Sequence, residues 1–201
     1  DQGWAAKGTE QGYGNIDFGP GKPTLRATFI IDENKRARGH FRAPPEPIFM
    51  SFQNLGLSDE VLRAIDEAGY TEPTPIQAQA IPVVFMGRDI LGCAQTGTGK
   101  TAGFTLPMID ILAAGKAKAR MPRSLILEPT RELAAQVADS FDVYGKYHKL
   151  NKALLIGGHT MNEQIKTIDK GVDVLIATPG RLLDLFDRGH LLMRDVKILV
   201  I

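Results

Sequence analysis

A glycine-rich stretch carries the most specific chemistry in this sequence. Residues 94–101 read Ala-Gln-Thr-Gly-Thr-Gly-Lys-Thr. Gly97 and Gly99 can adopt positive φ, which lets backbone N–H groups approach an anion closely. Lys100 is spaced to reach the β and γ phosphates of a nucleotide, and Thr101 offers its hydroxyl to Mg²⁺ at the start of a helix. The stretch therefore predicts a nucleoside triphosphate site.

The stretch departs from the strict phosphate-binding pattern at its first position, where Ala94 replaces glycine. A loop that caps the following helix and binds nothing is the alternative interpretation. The flanking sequence favours the nucleotide site, because residues 89–94 are predicted to form a short buried strand and residues 100–114 a helix. Cys93 is the single cysteine, so it cannot form an internal disulfide, and we expect it to be a small buried group in that strand.

The composition fits one soluble α/β domain with an extension. The chain has 201 residues, of which 43% are hydrophobic, and a formal net charge of +1. Binding of a polyanion must therefore depend on a local surface and not on the charge of the whole protein. No apolar run approaches the roughly 18 residues of a membrane-spanning helix, and no charged and apolar leader opens the chain. We expect a cytoplasmic protein without membrane attachment.

Residues 1–48 differ in pattern from the rest of the chain. They are rich in glycine and proline and show no sustained periodicity apart from a possible short strand at residues 25–31. We expect a flexible, poorly ordered extension or linker here, followed by a folded domain over residues 49–201. The extension also contains a basic cluster, formed by Lys35, Arg36, Arg38, His40 and Arg42. This cluster could contact nucleic acid, but a solvated loop is the favoured interpretation.

From residue 58 onward, helical patterns alternate with short apolar runs. Helices are predicted at 58–68, 75–87, 101–114, 131–147, 161–169 and 180–188, and strands at 89–93, 124–128, 153–157, 172–177 and 196–201. Continuous apolar strands are typical of a sheet that is covered on both faces. The alternation predicts an α/β fold with a parallel sheet and crossover helices. Ligands of such sheets bind beyond the carboxyl ends of the strands.

Three of the predicted strands lead into polar or glycine-rich segments, at residues 129–134, 157–158 and 178–181. Taken singly, each has a structural explanation, because Thr130, Thr160 and Thr178 can cap the helices that follow, with Glu163 completing a capping box. Taken together, they predict a row of helix N-termini along one edge of the sheet. Arg131 and Arg181 beside that row are suited to gripping a phosphate backbone without sequence preference.

Residues 69–77 form another candidate segment. Thr74, Pro75 and Gln77 fit a helix cap in which the Gln77 side chain returns to the backbone of the cap residue. A glutamine amide can equally pair with N6 and N7 of adenine, and Tyr70 can offer a stacking face to a base. The spacing leaves both interpretations open.

Together, these motifs resemble the first RecA-like domain of the DEAD-box ATP-dependent RNA helicases, from about residue 50 to the last residue. Phe52, Tyr70 and residues 73–77 resemble the adenine-recognising Q motif of that family, and residues 94–101 resemble its motif I, which also begins with alanine. Residues 129–134, 157–158 and 178–181 resemble motif Ia, the glycine doublet and motif Ib. The resemblance implies a three-layer P-loop NTPase fold of the RecA type, with helices on both faces of a parallel sheet.

The resemblance also implies ATP, Mg²⁺ and single-stranded RNA as ligands. The residues that would bind ATP are Phe52, Tyr70, Gln77, Ala94, Gln95, Thr96, Gly97, Thr98, Gly99, Lys100 and Thr101. Lys100 and Thr101 would be the catalytic residues among them, and Thr101 would bind the metal. The residues that would bind the RNA backbone are Pro129, Thr130, Arg131, Gly157, Gly158, Thr178, Pro179, Gly180 and Arg181.

By the same resemblance we expect this chain to be part of a longer protein. The Asp-Glu-Ala-Asp tetrad expected after residues 196–201 and a second RecA-like domain with an arginine finger do not occur in the sequence. We expect the parent to separate RNA duplexes locally with ATP, and the 201-residue chain alone to hydrolyse ATP poorly. One alternative is a non-catalytic module that binds adenine nucleotide and RNA. An unrelated P-loop ATPase, such as a transporter or recombinase subunit, would explain residues 94–101 and none of the other motifs.

Overall fold

The computed structural model describes residues 51–95, 97–158 and 160–201. Four expectations therefore lie outside the described residues: the extension over 1–48, its strand at 25–31, its basic cluster and the nucleotide contact of Thr96. Within the described ranges, no helix is both long and apolar enough to cross a membrane.

Helices and strands alternate along the described chain. A short 3₁₀ helix, Phe52–Leu55, comes first. The α-helices are α1 Asp59–Glu67, α2 Pro75–Phe85, α3 Lys100–Ala113, α4 Arg131–Tyr144, α5 Met161–Asp169 and α6 Pro179–Asp187. The strands are β1 Ser124–Leu127, β2 Lys152–Leu155, β3 Val174–Ala177 and β4 Ile198–Val200. Each of these α-helices and strands was predicted from the sequence, with ends that differ by a few residues at most, whereas the 3₁₀ helix was not predicted.

The four strands form one parallel sheet in the order β2-β3-β1-β4. Ser124 of β1 lies opposite Val174 of β3 and Ile198 of β4, and Lys152 of β2 also lies opposite Val174. Because the strands are parallel and start in register, their carboxyl ends meet along one edge of the sheet, which we call the carboxyl edge. The segments that follow β1, β2 and β3 therefore begin side by side.

Helices cover both faces of the sheet. Ile126, Val174 and Ile176 join one apolar cluster with α2, α3 and α4. Leu125 and Leu175, which alternate with them along the strands, join a second cluster with α5 and α6. Side chains of a strand point alternately to opposite faces, so a fully apolar strand feeds both clusters. The helix, sheet and helix layers confirm the predicted fold class.

The strand predicted at residues 89–93 is wrong. In the described chain, residues 89–95 belong to no strand. Leu91 is 65% exposed, and Cys93 is exposed instead of buried. A strand forms by hydrogen bonding to a neighbour, and β4, a terminal strand of this sheet, pairs with β1. An apolar pattern records the tendency to form a strand, but it does not show whether a partner lies beside it.

The three predicted helix caps at the carboxyl edge, those of Thr130, Thr160 and Thr178, do not all form. The Thr130 hydroxyl accepts a hydrogen bond from the N–H of Leu133 at 3.2 Å, as predicted for the start of α4. The Thr160 hydroxyl instead donates to the Glu163 carboxylate at 2.6 Å and makes no cap bond to the helix, so that predicted capping box is wrong. Thr178 stands at the N-cap position of α6 but its side chain makes no cap bond to the helix, so the predicted side-chain cap is wrong, whereas Pro179 occupies the first turn as predicted.

A partly buried ion pair ties α3 to the sheet at the end opposite the carboxyl edge. The Arg123 guanidinium donates to the carbonyl of Leu112 at 2.7 Å and to the carboxylate of Asp173 at 3.1 Å. The same carboxylate accepts a hydrogen bond from the N–H of Asn151 at 3.0 Å. A cation at a helix C-terminus satisfies carbonyls that have no partner within the helix. Arg123 therefore fixes the C-terminal end of α3.

We predict that Asp173→Ala lowers the free energy of unfolding by about 2 kcal/mol, because it leaves the partly buried Arg123 guanidinium without its partner and the N–H of Asn151 without its acceptor. Asp169→Ala is the matched control, since Asp169 is an exposed residue at the end of α5, and its effect should stay within about 0.5 kcal/mol. Urea unfolding followed by circular dichroism measures both. Equal stabilities of the two variants would contradict a stabilising role for the pair.

Candidate functional site

The loop before α3 has the backbone geometry that its glycines predict. Gly97 has φ +81° and Gly99, the N-cap residue of α3, has φ +82°. The Thr98 hydroxyl donates to the carbonyl of Gln95 at 2.7 Å, and the Lys100 ammonium donates to the carbonyl of Ala94. The lysine thus closes the loop at its start. Backbone N–H groups at the N-terminus of α3 are left for an anion.

Thr101 occupies the first turn of α3. Its carbonyl accepts a hydrogen bond from the Thr105 hydroxyl at 2.9 Å, and its own hydroxyl makes no bond to another described residue. In residues 51–95, 97–158 and 160–201, no group of three or more His, Cys, Asp or Glu side chains is placed to hold a metal ion. The Thr101 hydroxyl is therefore suited to bind a cation that is already coordinated by the phosphates of a nucleotide.

Gln77 connects the start of α2 to this loop. Its side chain is 4% exposed. The amide oxygen accepts from the N–H of Thr74 at 3.0 Å, and the amide nitrogen donates to the carbonyl of Gly99 at 3.1 Å. The Thr74 hydroxyl accepts from the N–H of Gln77 at 3.5 Å, which completes the capping box. The capping interpretation is confirmed, and the bond to Gly99 was not expected.

Position 99 favours glycine for two reasons, its positive φ and the closeness of the Gln77 side chain. A Cβ atom at this position would lie 2.3 Å from the amide nitrogen of Gln77. Side chains other than glycine also rarely adopt a φ of +82°. The close approach of the loop backbone to the Gln77 amide therefore depends on a residue with no side chain.

The two aromatic residues of the candidate adenine site have different environments. Tyr70 is 51% exposed, and its ring centroid lies 6.3 Å from that of Tyr144 at the C-terminal end of α4. Burial, with a contribution from the Tyr70 hydroxyl, raises the pKa of Tyr144. Phe52 is 5% exposed and packs in the core cluster of α2, α3 and α4. Contact of either ring with a base stays a prediction.

The three segments at the carboxyl edge line one open groove. Its volume is about 760 Å³, and its lining residues are Pro129, Thr130, Arg131, Glu132, Gly157, Thr178, Gly180, Arg181 and Asp184. Gly158 lines an adjoining hollow of about 300 Å³ together with Arg131 and Glu132. Seven of the nine residues predicted to bind a phosphate backbone thus line the main groove, and Gly158 lines its neighbour.

Two arginines that line this groove hold the turn after β2 by hydrogen bonds to its backbone. The Arg131 guanidinium donates to the carbonyl of Gly157 at 3.1 Å, and the Arg181 guanidinium donates to the carbonyl of Ile156 at 3.3 Å. Gly158 has φ +92°, and a Cβ atom there would lie 2.8 Å from the Arg131 guanidinium. The turn over residues 156–158 is therefore held by both arginines, and a side chain at Gly158 would displace the Arg131 guanidinium from it.

Two acidic residues near the groove, Asp184 and Glu128, were not predicted, and Asp184 partly offsets the charge of the arginines beside it. Asp184 lies 3.6 Å from the Arg181 guanidinium and 2.7 Å from that of Arg188. Glu128 follows β1 directly, is 4% exposed, and has its pKa raised by burial. The sequence analysis missed both Asp184 and Glu128 as neighbours of the site. The sequence did offer a signal for Glu128, since it is a charged residue at the end of an otherwise apolar predicted strand.

Comparisons with known proteins agree with this geometry. The chain is 39% identical over 162 residues to the DEAD-box ATP-dependent RNA helicase 52A of Oryza sativa subsp. japonica, covering 74% of this chain and 27% of that protein. It is 40% identical over 151 residues to the DEAD-box ATP-dependent RNA helicase CshA of Bacillus cereus, covering 75% of this chain and 28% of that protein. The chain thus spans about a quarter to a third of the length of such relatives.

A solved structure shares the fold. It is that of a DEAD box protein from the hyperthermophile Methanococcus jannaschii, with a TM-score of 0.68 and 37% sequence identity, and the match covers 76% of this chain and 41% of that one. The family model for the DEAD/DEAH box helicases matches residues 74–201, which is more than half of the chain. The chain therefore belongs to the DEAD/DEAH box helicase family, and its described residues form the RecA-like domain of that family.

Proposed function

We propose that this chain is the ATP-binding and RNA-binding part of an ATP-dependent RNA helicase. The observation that carries the proposal is the arrangement of a phosphate-binding loop, bonded to Gln77, and an arginine-lined groove around one parallel sheet. A triphosphate site and a phosphate-backbone site on one domain suit an enzyme that uses nucleotide energy to act on nucleic acid. Named relatives of this chain are ATP-dependent RNA helicases, which supports the same conclusion.

The loop residues have separate roles in nucleotide binding. Lys100, which donates to the carbonyl of Ala94 in this structure, would turn to the β and γ phosphates. Thr101 would hold Mg²⁺ through its hydroxyl, and the metal would offset the negative charge of the phosphates. Backbone N–H groups of residues 97–101 at the N-terminus of α3 would bind the remaining phosphate oxygens.

The groove at the carboxyl edge would hold a single RNA strand by its sugar-phosphate backbone. The N-termini of α4 and α6 open into it, and Arg131 and Arg181 are among its lining residues. Contacts of this kind orient a strand without reading its bases, so we propose binding with little sequence preference. Duplex separation by the complete protein would then follow from closure of a second RecA-like domain over ATP and RNA.

Hydrolysis requires groups that the described residues do not supply. A transition state for phosphoryl transfer needs the metal, the attacking water and a cation placed together. We propose that RNA-stimulated ATP hydrolysis belongs to the complete protein, in which further residues meet this loop. In the complete protein, Lys100→Ala should abolish that activity, and RNA-stimulated hydrolysis that survives the substitution would overturn the proposed phosphate contact.

For the 201-residue chain, we predict that Lys100→Ala weakens binding of Mg²⁺ with a fluorescent ATP analogue. The loss should be about 1.5–3 kcal/mol, because a charged hydrogen bond to phosphate is removed. Lys116→Ala is the matched control, since Lys116 is an exposed lysine beyond the C-terminal end of α3 and its removal should not change affinity. An equal loss in both variants would indicate general charge attraction instead of a specific contact.

Gln77→Ala is predicted to weaken binding of ATP more than binding of GTP, because the glutamine amide pairs with N6 and N7 of adenine. To bind the base, the amide nitrogen would leave the carbonyl of Gly99, which it contacts in this structure. Isothermal titration with both nucleotides measures the difference, with Gln136→Ala, an exposed position of α4, as the control. Equal losses for ATP and GTP would restrict Gln77 to capping and support of the loop.

Arg131→Met is predicted to weaken binding of single-stranded RNA by a similar factor for different base sequences. It should also lower the slope of log affinity against log salt by about 0.7, the value for one phosphate contact on a single strand. Arg194→Met, an exposed position between α6 and β4, provides the matched control. Fluorescence anisotropy with oligouridine and oligoadenosine at several salt concentrations gives both quantities. A change confined to one of the two sequences would contradict backbone binding.

A further inference from the structure

One buried carboxylate at the carboxyl edge has no partner in the described chain. Glu128 follows β1 directly, and its side chain is 4% exposed. Its carboxylate makes no hydrogen bond or ion pair with any residue in 51–95, 97–158 and 160–201. Burial raises the pKa of this carboxyl group. An ionised carboxylate is costly to bury alone, so this position indicates that a cation or hydrogen-bond donors belong beside it.

The carboxylate of Glu128 is not sealed inside the core. Among the described residues, the fully buried polar side-chain atoms without a hydrogen bond belong to Arg120 and Gln164. The oxygens of Glu128 are not among those atoms, so the small exposed part of this side chain includes its carboxylate. A ligand at the carboxyl edge can therefore reach it.

The side chain of Glu128 lies on the face of the sheet that α3 covers. The N–H of Glu128 donates to the carbonyl of Ala177 at 3.0 Å, so the pairing with β3 continues one residue beyond β1. Side chains alternate along a paired strand, which puts Glu128 on the same face as Ile126. Ile126 packs in the cluster of α2, α3 and α4. Glu128 thus shares a face with the helix that begins at the phosphate-binding loop.

Helix α3 and strand β1 run in opposite directions over equal lengths. The Arg123 guanidinium, just before β1, donates to the carbonyl of Leu112 near the end of α3, so α3 ends where β1 starts. From Leu112 back to Thr101 the helix rises about 16 Å, at about 1.5 Å per residue. From Arg123 to Glu128 the strand also rises about 16 Å, at about 3.3 Å per residue. Thr101 and Glu128 therefore lie at the same level, at the carboxyl edge.

The chemistry of these two oxygen donors fits the Mg²⁺ that accompanies a nucleotide. Protein sites for Mg²⁺ use oxygen ligands, usually one or two carboxylates together with substrate phosphates, and the metal keeps several of its water molecules. Thr101 offers a neutral hydroxyl, and Glu128 adds a negative charge on the same face. Carboxylates that hydrogen-bond to the ligands of a metal strengthen its binding.

We propose that Glu128 helps to hold Mg²⁺ at the nucleotide site by accepting hydrogen bonds from water molecules that the metal retains. This inference rests on the proposed nucleotide binding, and it adds a carboxylate that residues 94–101 do not contain. Without the metal, the same carboxylate repels the phosphates of a nucleotide. Glu128 therefore makes nucleotide binding depend more strongly on Mg²⁺.

Nucleotide binding by Glu128→Gln, measured with Mg²⁺ and with EDTA in the full 201-residue chain, tests the proposal. With Mg²⁺, the variant should bind a fluorescent ATP analogue about tenfold more weakly than the wild type does, as expected when an outer carboxylate of a metal site is lost. With EDTA, it should bind the analogue at least as tightly as the wild type, because a negative charge near the phosphates is removed.

Glu163→Gln is the matched control. Glu163 is an exposed glutamate in the first turn of α5, which packs on the opposite face of the sheet, so its substitution should change binding in neither condition. A local loss of packing at Glu128 would weaken binding both with Mg²⁺ and with EDTA. Losses in both conditions, or no change in either, would therefore overturn the role of Glu128. A wild-type chain that binds the analogue in neither condition would overturn the proposed nucleotide site as well.

Mn²⁺ in place of Mg²⁺ locates the metal directly. We expect Mn²⁺ with ATP to broaden two NMR signals of the wild-type chain, the amide of Thr101 and the side-chain carboxyl carbon of Glu128. The carboxyl carbon of Glu163 should broaden much less, because it lies on the other face of the sheet. Broadening at Thr101 with no more broadening at Glu128 than at Glu163 would leave the nucleotide site in place and overturn the role of Glu128.

Discussion

The parallel direction of the four strands is the constraint on which the site depends. In an antiparallel sheet, the segments that follow successive strands would begin at opposite edges, whereas here those after β1, β2 and β3 all begin at the carboxyl edge. Each crossover helix must then start at that edge, and a helix start presents unpaired N–H groups. The groove with Arg131 and Arg181 is a consequence of this arrangement, because guanidinium groups on two neighbouring segments meet the same turn at residues 156–158.

Gln77 links the nucleotide loop to helix α2 through hydrogen bonds. One amide group joins the cap of α2, through Thr74, to the N-cap residue of α3, Gly99. Because the carbonyl of Gly99 belongs to the phosphate-binding loop, any movement of that loop changes the environment of Gln77. Under the proposed function, a nucleotide that engages the phosphate loop and the glutamine at once would exchange this internal bond for bonds to the ligand. The internal bond satisfies a buried amide that would be costly to leave unpaired.

The sequence predicted the domain well where local pattern and packing agree. The helix at 161–169 has the predicted bounds, and the apolar runs of β1 to β4 become strands that feed both core clusters. Residues 89–93 have the same kind of pattern, yet they form no strand, because pairing is decided by a neighbour that local sequence does not specify. The exposure of Cys93 follows from that error.

Contacts between distant segments were the least predictable part of the site. The bond from Gln77 to Gly99 spans 22 positions, and nothing in either local motif specifies it. Two local contacts were also missed: Asp184 lies beside Arg181 three positions earlier in α6, and the Thr160 hydroxyl donates to the Glu163 carboxylate instead of capping α5. Burial of Glu128 likewise depends on how the helices cover the end of β1. Motif order identified the segments of the site, whereas their mutual contacts required the tertiary structure.

Under the proposed function, one domain holds separate nucleotide and RNA sites at adjoining parts of the sheet. Backbone NMR of the 201-residue chain, titrated first with a non-hydrolysable ATP analogue and then with oligouridine, tests it directly. We expect the nucleotide to shift the amide signals of Gln77 and residues 97–101, and the RNA to shift those of residues 130–131, 157–158 and 178–181. RNA shifts that fall on the loop before α3, or that avoid the arginine-lined groove, would show that the two sites are not separate or that the groove does not bind RNA.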